Sequence, residues 1–164
     1  MRHVELDATV LGERAEYVFD QVIRWERYPE LAPHVQAATV HSTTADTGSS
    51  SWELHFRSGL LRWSEEEHFF RDTLEIRFTQ TDGDFDSFTG TWRLRQDGDD
   101  VAVSFTAAFD FGIPSLEGIL DPIAERVIKE TVAWALTGLF ARVTVTQDLD
   151  MPQASADAAA RAGR

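Results

Sequence analysis

One stretch of the sequence combines carboxylates and aromatic rings at the spacing of a β-strand. One parity of this stretch, Leu61–Phe70, consists of Leu61, Trp63, Glu65, Glu67 and Phe69. If its two aromatic rings face the interior, Glu65 and Glu67 do so as well. A carboxyl group in an apolar cavity has a raised pKa, because burial disfavours the charged form. Such a group can act as a general acid or base near neutral pH.

Glu65 and Glu67 are therefore the candidate catalytic residues. Residues two apart on a strand lie about 6–7 Å apart along one face. We expect one carboxyl to donate a proton to a leaving hydroxyl while the other removes the α-proton of the substrate. The opposite parity could instead face inward, since charge runs are usually solvated. The two glutamates would then lie in solvent or pair with Arg62, Arg57 or Arg77.

Large aromatic side chains recur on other predicted strands. Phe88, Gly90, Trp92 and Leu94 alternate and so share a face. Together with a helical stripe, four residues would form an apolar wall suited to a polycyclic or lipid-like ligand: Trp63, Phe69, Phe88 and Trp92. Trp92 could equally be an ordinary core tryptophan. Gly90 in the middle of a strand indicates a bend or a close approach. Asp110 is interpreted as an anchor for the turn into the last helix rather than as a pocket acid.

The elements that position these residues follow from periodicity. Arg2–Val10 alternates as a strand, a helix follows from Glu13, and Tyr28-Pro29 ends or bends it. Six further strands are predicted between turn signals: Val35–Thr43, Trp52–Phe56, Leu61–Phe70, Leu74–Thr79, Phe85–Arg95 and Val101–Phe111. Their short connections indicate antiparallel neighbours.

A long helix is predicted for Pro114–Gln147, with Ser115 or Asp121 as its cap and an apolar stripe along one side. The stripe consists of Leu116, Ile119, Leu120, Ile123, Val127, Trp134 and Phe140. This helix is the only element large enough to cover the sheet. We therefore predict an α+β fold: a seven-stranded antiparallel sheet curved around a long C-terminal helix, with two short helices after strand 1 and an apolar pocket. Residues 1–147 form one domain in this interpretation, and residues 148–164 a mobile tail.

The composition of the chain disfavours several classes of binding partner and cofactor. The chain has 164 residues, with 15 Lys+Arg against 28 Asp+Glu and a net charge of −13, which disfavours nucleic acid and anionic membranes. There is no cysteine, and the five histidines lack metal-ligand spacing, so we expect no metal. No phosphate loop or serine elbow is present, and we expect no cofactor. The start lacks the layout of a signal peptide, which predicts a cytoplasmic protein.

Two motifs resemble a known superfamily. Tyr17-Val18-Phe19-Asp20-Gln21-Val22 followed by Trp25-Glu26-Arg27-Tyr28-Pro29-Glu30-Leu31 resembles the opening helices of the polyketide cyclase/aromatase and quinone-binding branch of the START/Bet v 1-like (SRPBCC) superfamily. Phe88-Thr89-Gly90-Thr91-Trp92-Arg93-Leu94 resembles its penultimate strand. The resemblance covers about residues 1–147. It implies a helix-grip fold whose ligand lies between sheet and last helix, with Tyr28 and Trp92 lining the cavity.

The resemblance also shows departures. Aromatase members carry an arginine about four residues after a tryptophan on the strand where Glu67 stands here. They also carry a tyrosine where His34 or Val35 falls. Their acid/base residues therefore cannot be transferred to this chain.

The sequence favours a polyketide cyclase/dehydratase of secondary metabolism such as antibiotic biosynthesis, a monomer or homodimer that takes an acyl intermediate from an acyl carrier protein. The alternative is a lipid or quinone carrier without chemistry. A regulatory protein-binding module is a third class, and it would need an exposed apolar gate.

Overall fold

The protein is described here by a computed structural model that covers residues 1–147 and Leu149. Its main feature is one antiparallel sheet of eight strands. They are β1 (Arg2–Val10), β2 (Val35–Thr43), β3 (Thr47–Phe56), β4 (Gly59–Phe70), β5 (Glu75–Gly83), β6 (Ser87–Asp97), β7 (Asp100–Asp110) and β8 (Val143–Val145). Their order across the sheet is β2-β3-β4-β5-β6-β7-β1-β8. Apart from Leu149, the predicted tail at 148–164 lies outside the described residues.

In the described part of the chain, three α-helices accompany the sheet. They are α1 (Ala15–Val22), α2 (Tyr28–Leu31) and α3 (Glu117–Leu139), with short 3₁₀ turns at Trp25–Arg27 and Pro114–Leu116. The predicted helix-grip fold, with two short helices after strand 1 and one long helix near the end, is thus confirmed. Among the described residues no helix has the length and apolar character to cross a membrane.

The end of the chain differs from the prediction in one element. Helix α3 ends at Leu139 instead of Gln147, Phe140 is extended, and β8 pairs antiparallel with Ala8–Val10 of β1. The β-branched run Val143-Thr144-Val145 suits a strand better than a helix. This pairing makes eight strands where seven were predicted.

The start of α3 also differs. Its N-cap position is Leu116, and no side chain among residues 1–147 caps it, so neither Ser115 nor Asp121 has the predicted role. Leu116, Ile119 and Ile123 are 38%, 55% and 36% exposed, although they were expected on the buried stripe. Every residue from Phe111 to Leu120 is at least partly exposed, and of the next three residues only Asp121 is buried, so the predicted stripe is buried only from Val127 onward.

Gly90 shows how the sheet accommodates its aromatic side chains. A Cβ atom at this position would lie 2.3 Å from the ring of Phe78, well inside van der Waals contact. Gly90 and Phe78 are register partners on β6 and β5. The close approach predicted for this glycine is confirmed, since the missing side chain is what makes room for the ring.

Candidate active site

A cavity of about 60 Å³ lies between the sheet and α3. Strands β3 to β7, the turn at Trp25–Arg27, α2 and α3 all contribute to it. The lining residues are Trp25, Tyr28, Trp52, Leu54, Trp63, Glu65, Phe78, Phe88, Trp92, Phe105, Ile128, Thr131 and Val132. The wall is therefore apolar and aromatic, with one carboxyl group.

Tryptophan rings form much of this wall. Trp52 and Trp63, register partners on β3 and β4, stack with centroids 6.0 Å apart and an interplanar angle of 6°. The ring of Trp25 lies 5.9 Å from that of Trp52 and 6.2 Å from that of Trp92. Phe88 meets Trp63 edge-on at 5.3 Å. Such edge and stacked contacts hold the rings in defined positions.

Strand β4 turns the face that carries Trp63, Glu65, Glu67 and Phe69 toward the interior. Glu65 is 6% exposed and Glu67 1% exposed, whereas Glu66 lies on the solvent side. Arg62 pairs with Glu53 at 2.7 Å instead of with either buried glutamate. The orientation that would leave Glu65 and Glu67 in solvent is thus wrong. One reason is that the opposite orientation of the strand would bury three polar or charged side chains, those of Arg62, Glu66 and His68.

Glu65 is the carboxyl group of the cavity wall. The indole Nε1–H of Trp63 donates to its Oε1 at 2.8 Å, and its side chain is also hydrogen-bonded to Glu67. A register shift in the pairing with β5 falls between Ser64 and Glu65, and such irregularities re-aim side chains. Burial raises the pKa of Glu65 well above 4.5, the Glu67 hydrogen bond and charge raise it further, and the Trp63 donor opposes them. Glu65 therefore holds a proton well above the pH at which a solvated glutamate loses it.

Glu67 lies behind Glu65, outside the cavity wall. The Ser50 hydroxyl donates to its Oε2 at 2.8 Å, and Trp52 Nε1–H donates to the Ser50 oxygen at 2.9 Å. Glu67 lines a separate surface depression of about 300 Å³, here called the outer groove. The groove is formed by Asp20, Ile23, Arg24, Trp25, Glu26, Val40, Ser42, Thr43, Gly48, Glu67 and Phe69.

Two expectations for β4 need correction on this geometry. Glu67 and Phe69 face inward as predicted, but they lie at the outer groove, because β4 continues past the cavity wall. The two carboxyl groups therefore do not straddle a substrate ring. They form a hydrogen-bonded pair of which only Glu65 reaches the cavity.

Tyr28 lines the cavity with its ring, as expected. Its hydroxyl donates to the backbone oxygen of Val22 at 2.8 Å, which ties α2 to the end of α1. Burial raises the pKa of Tyr28 well above 10.0, and the charges of Glu65 and Glu26 add to this effect. The hydroxyl proton is thus committed to a structural bond.

Trp25 is a polar cavity residue that the sequence analysis did not single out. It is 4% exposed, and its indole Nε1–H has no hydrogen-bond partner within the part of the chain that the structure describes. A buried donor without a partner costs free energy that a ligand oxygen could recover. The only sequence signal was its place beside Tyr28-Pro29. Thr131, also missed, donates its hydroxyl to Val127 O within α3.

The remaining candidates have structural roles or none. Asp110 Oδ1 accepts from the backbone N–H of Gly112 at 2.8 Å, so it anchors the turn after β7 as interpreted. Within residues 1–147 and Leu149, no group of His, Asp and Glu side chains is arranged to hold a metal ion. His34, which stands near the position of the family tyrosine, bonds Glu130 on α3 at 3.2 Å.

The sequence and the fold place the chain in a family. Residues 12–137 match the family model described as "Polyketide cyclase / dehydrase and lipid transport", and the chain belongs to this family. No curated protein sequence matches it. The family comprises catalytic and carrier proteins in its own description, so membership alone does not decide between them.

Solved structures share the fold over most of the chain. The protein TTHA0849 from Thermus thermophilus is 25% identical, with a TM-score of 0.75 over 84% of this chain and 94% of its own. The Zhui aromatase/cyclase from a Streptomyces species is 16% identical, with a TM-score of 0.68 over 84% and 90%. A START superfamily protein from Mycobacterium smegmatis is 14% identical, with a TM-score of 0.68 over 83% and 94%.

Proposed function

We propose that the protein is a cyclase/dehydratase that acts on β-keto or β-hydroxy acyl intermediates of the polyketide type, with Glu65 as the acid/base group. The observation that carries the proposal is a buried carboxyl group with a raised pKa in an otherwise apolar cavity wall. A carrier of apolar ligands has no need of such a group, and burying it costs free energy. Perturbed carboxyl groups of this kind are typical of general acid–base sites.

The chemistry needs one proton to be removed and one to be delivered. In the ring-closing step, the carboxylate form of Glu65 takes an α-proton, the resulting enolate attacks a carbonyl carbon, and the protonated Glu65 returns its proton to the new alkoxide. In dehydration, the Glu65 carboxylate takes a second α-proton and then gives it to the hydroxyl group, which leaves as water, so the carboxylate is regenerated.

Trp25 supplies the second polar contact in this proposal. Its unpartnered Nε1–H would donate to a ligand oxygen, and the developing charge on an enolate oxygen would strengthen that bond. The aromatic wall of Trp52, Trp63 and Trp92 would hold the carbon skeleton. The favoured ligand is therefore an apolar skeleton that carries a carbonyl oxygen.

Cavity volume restricts the substrate. Drug-sized ligands occupy pockets of about 300–1,000 Å³, and a cavity of about 150 Å³ is known to take benzene. The cavity here measures about 60 Å³. A polycyclic substrate thus requires that wall side chains move, and a single reacting unit of an acyl chain fits with less displacement. Delivery of the substrate as a thioester on an acyl carrier protein is part of the proposal. Carrier proteins are usually acidic, so the net charge of −13 on this chain would not attract one, and local arginine side chains would have to make the contact.

The test is hydrogen–deuterium exchange at the α-carbon of a small β-keto thioester, acetoacetyl-N-acetylcysteamine, followed by NMR in D₂O. We expect the wild-type protein to accelerate exchange and E65Q to reduce that acceleration on the order of 10²-fold or more. E66Q is the matched control, since Glu66 is the neighbouring residue on the solvent face. Equal exchange with wild type and E65Q would overturn the proposal.

The carrier alternative is favoured by the apolar character of the other lining residues. It predicts that a quinone or fatty acid binds with equal affinity to wild type and E65Q, with no acceleration of exchange by either protein. Titration calorimetry on the same two proteins measures this. The exchange and binding assays together therefore separate the two functions.

A further inference from the structure

The exposed large apolar side chains of the molecule are concentrated at the start of α3. The part of the chain that the structure describes exposes seven of them, and four lie within residues 113–123. These four are Ile113, Leu116, Ile119 and Ile123, of which Ile119 is the most exposed, at 55%. Single exposed apolar side chains are ordinary on a protein surface, whereas a contiguous group of them marks an interaction surface.

Three of the four side chains share one face of the helix. Residues three, four and seven positions apart lie on the same side, as Leu116, Ile119 and Ile123 do. Three small or cyclic residues between them are also exposed. The surface so formed, here called the α3 face, consists of Ser115, Leu116, Gly118, Ile119, Pro122 and Ile123.

The α3 face carries no charged side chain, although the chain has a net charge of −13. Glu117 is two residues before Ile119 and therefore lies on the opposite side of the helix. At the far end of the face, Glu125 is neutralised by Arg2 at 2.6 Å and by Lys129 at 2.7 Å. The face is thus an apolar centre with paired charges at its rim, which is the composition of a protein–protein interface.

Gly118 indicates that the partner element approaches closely. This residue is exposed within α3, and nothing lies within 4 Å of the position that a Cβ atom would take there. The packing of one described chain therefore does not require a glycine, which is disfavoured in a helix relative to alanine. A glycine is useful at a helix surface where a second helix packs against it, since the distance between two helix axes depends on the side chains at the contact.

We propose that the α3 face binds the same face of a second copy of this chain, with the two α3 helices antiparallel about a twofold axis. Ile119 of one copy then packs on Ile123 of the other. An acidic carrier protein or an anionic membrane would need basic side chains, which this face lacks. A second copy needs a surface at which two negative molecules meet without carboxylates in contact, and a twofold axis makes one apolar stripe complementary to itself.

The dimer goes beyond the proposed function and does not depend on it. The cavity is lined by Ile128, Thr131 and Val132 of α3, and none of these residues belongs to the α3 face. Substitutions on the face therefore leave the cavity wall and Glu65 in place. Failure of the dimer and failure of the catalytic proposal are thus measured separately.

The experiment is sedimentation equilibrium of the full chain at micromolar to millimolar concentrations. We expect wild type to show a monomer–dimer equilibrium. I119E places a carboxylate of each copy at the centre of the contact, and the dissociation constant should rise on the order of 10²-fold. Added salt should strengthen the wild-type dimer, because it screens the repulsion between the two net charges and leaves the apolar contact unchanged.

Two variants separate the interface from the stability of one chain. G118Q adds a side chain where one chain has open space, so it should weaken the dimer without lowering the thermal stability of the monomer. F70E is the matched control, because Phe70 is an exposed apolar residue on β4, 42% exposed and outside the α3 face. Its dissociation constant should equal that of wild type. G118Q carries the test alone if circular dichroism shows that I119E does not fold.

The competing occupants of the face give different results. A wild-type protein that stays monomeric at millimolar concentration would overturn the proposal, and so would a dimer that neither I119E nor G118Q weakens. Flotation with phosphatidylcholine vesicles that wild type shows and I119E loses would assign the face to lipid instead. A monomer that dimerises only after residues 150–164 are removed would assign the face to that segment, which also overturns the proposal.

Discussion

The free energy of unfolding should report the proton on Glu65. Its pKa is raised in the folded protein, chiefly by burial, above the value of 4.5 that applies when the chain is unfolded. Below pH 4.5, Glu65 is protonated in both the folded and the unfolded protein, so its full contribution to the free energy of unfolding is present. As the pH rises above 4.5 the unfolded state releases its proton first, so wild type loses stability until the folded pKa is passed.

The E65Q substitution removes this pH-dependent loss of stability, because glutamine does not titrate, and it keeps the shape of the protonated side chain. The glutamine oxygen can accept from Trp63 Nε1, and its amide can donate to Glu67. We expect E65Q and wild type to differ little below pH 4.5. Above pH 4.5, the free energy of unfolding of E65Q should rise relative to that of wild type. The slope of this difference should approach about 1.4 kcal/mol per pH unit, the value for one proton bound in the folded state and released in the unfolded state.

Urea unfolding at half-unit steps from pH 4 to 8 measures this difference. E66Q provides the control, since the neighbouring glutamate lies on the solvent face of the same strand. Its stability should follow that of wild type across the series. A constant difference between E65Q and wild type from pH 4 to 8 would refute the assignment of the buried proton to Glu65.

Three further substitutions test the packing of the site. G90A should lower the free energy of unfolding by about 1–3 kcal/mol in urea titrations, because its methyl group overlaps the Phe78 ring; unchanged stability would contradict the close approach. Y28F should cost about 0.5–1.5 kcal/mol by losing the bond to Val22 O, and equal urea midpoints would show that the bond contributes nothing. I128A should cost about 2–5 kcal/mol and enlarge the cavity enough to bind benzene, seen as NMR shifts of wall residues that wild type lacks.

Alternation along the chain predicted the sheet well, because each strand buries one parity and exposes the other. β1 and β2 have the predicted bounds. β8 was missed because three residues are too few to show a period, and they followed a helical stripe without a break signal. The length of α3 was overestimated for the same reason.

The site was harder to predict than the fold. On β4 both parities contain charges and aromatic rings, so the facing of Glu65 depended on the neighbouring strands rather than on its own pattern. Periodicity gives a face but no position along it, and this is why Glu67 and Phe69 were placed in the cavity. Whether Trp25 Nε1–H finds a partner, and how much volume the rings leave, are set by side-chain packing that no sequence spacing encodes.

The position of β1 in the sheet has a consequence for how the chain folds. Arg2–Val10 lies between β7 and β8, and its register partners are Val101–Phe109 and Val143–Val145. During synthesis this strand emerges before β7 and β8, and both of its edges stay without a partner until roughly a hundred further residues have left the ribosome. Such long-range pairing slows folding. Until β1 is paired, it exposes an apolar face with Val4, Leu6 and Val10 and can pair with the wrong strand. Refolding should therefore be limited by docking of β1, and substitutions on its apolar face should raise aggregation yields before they alter any ligand contact.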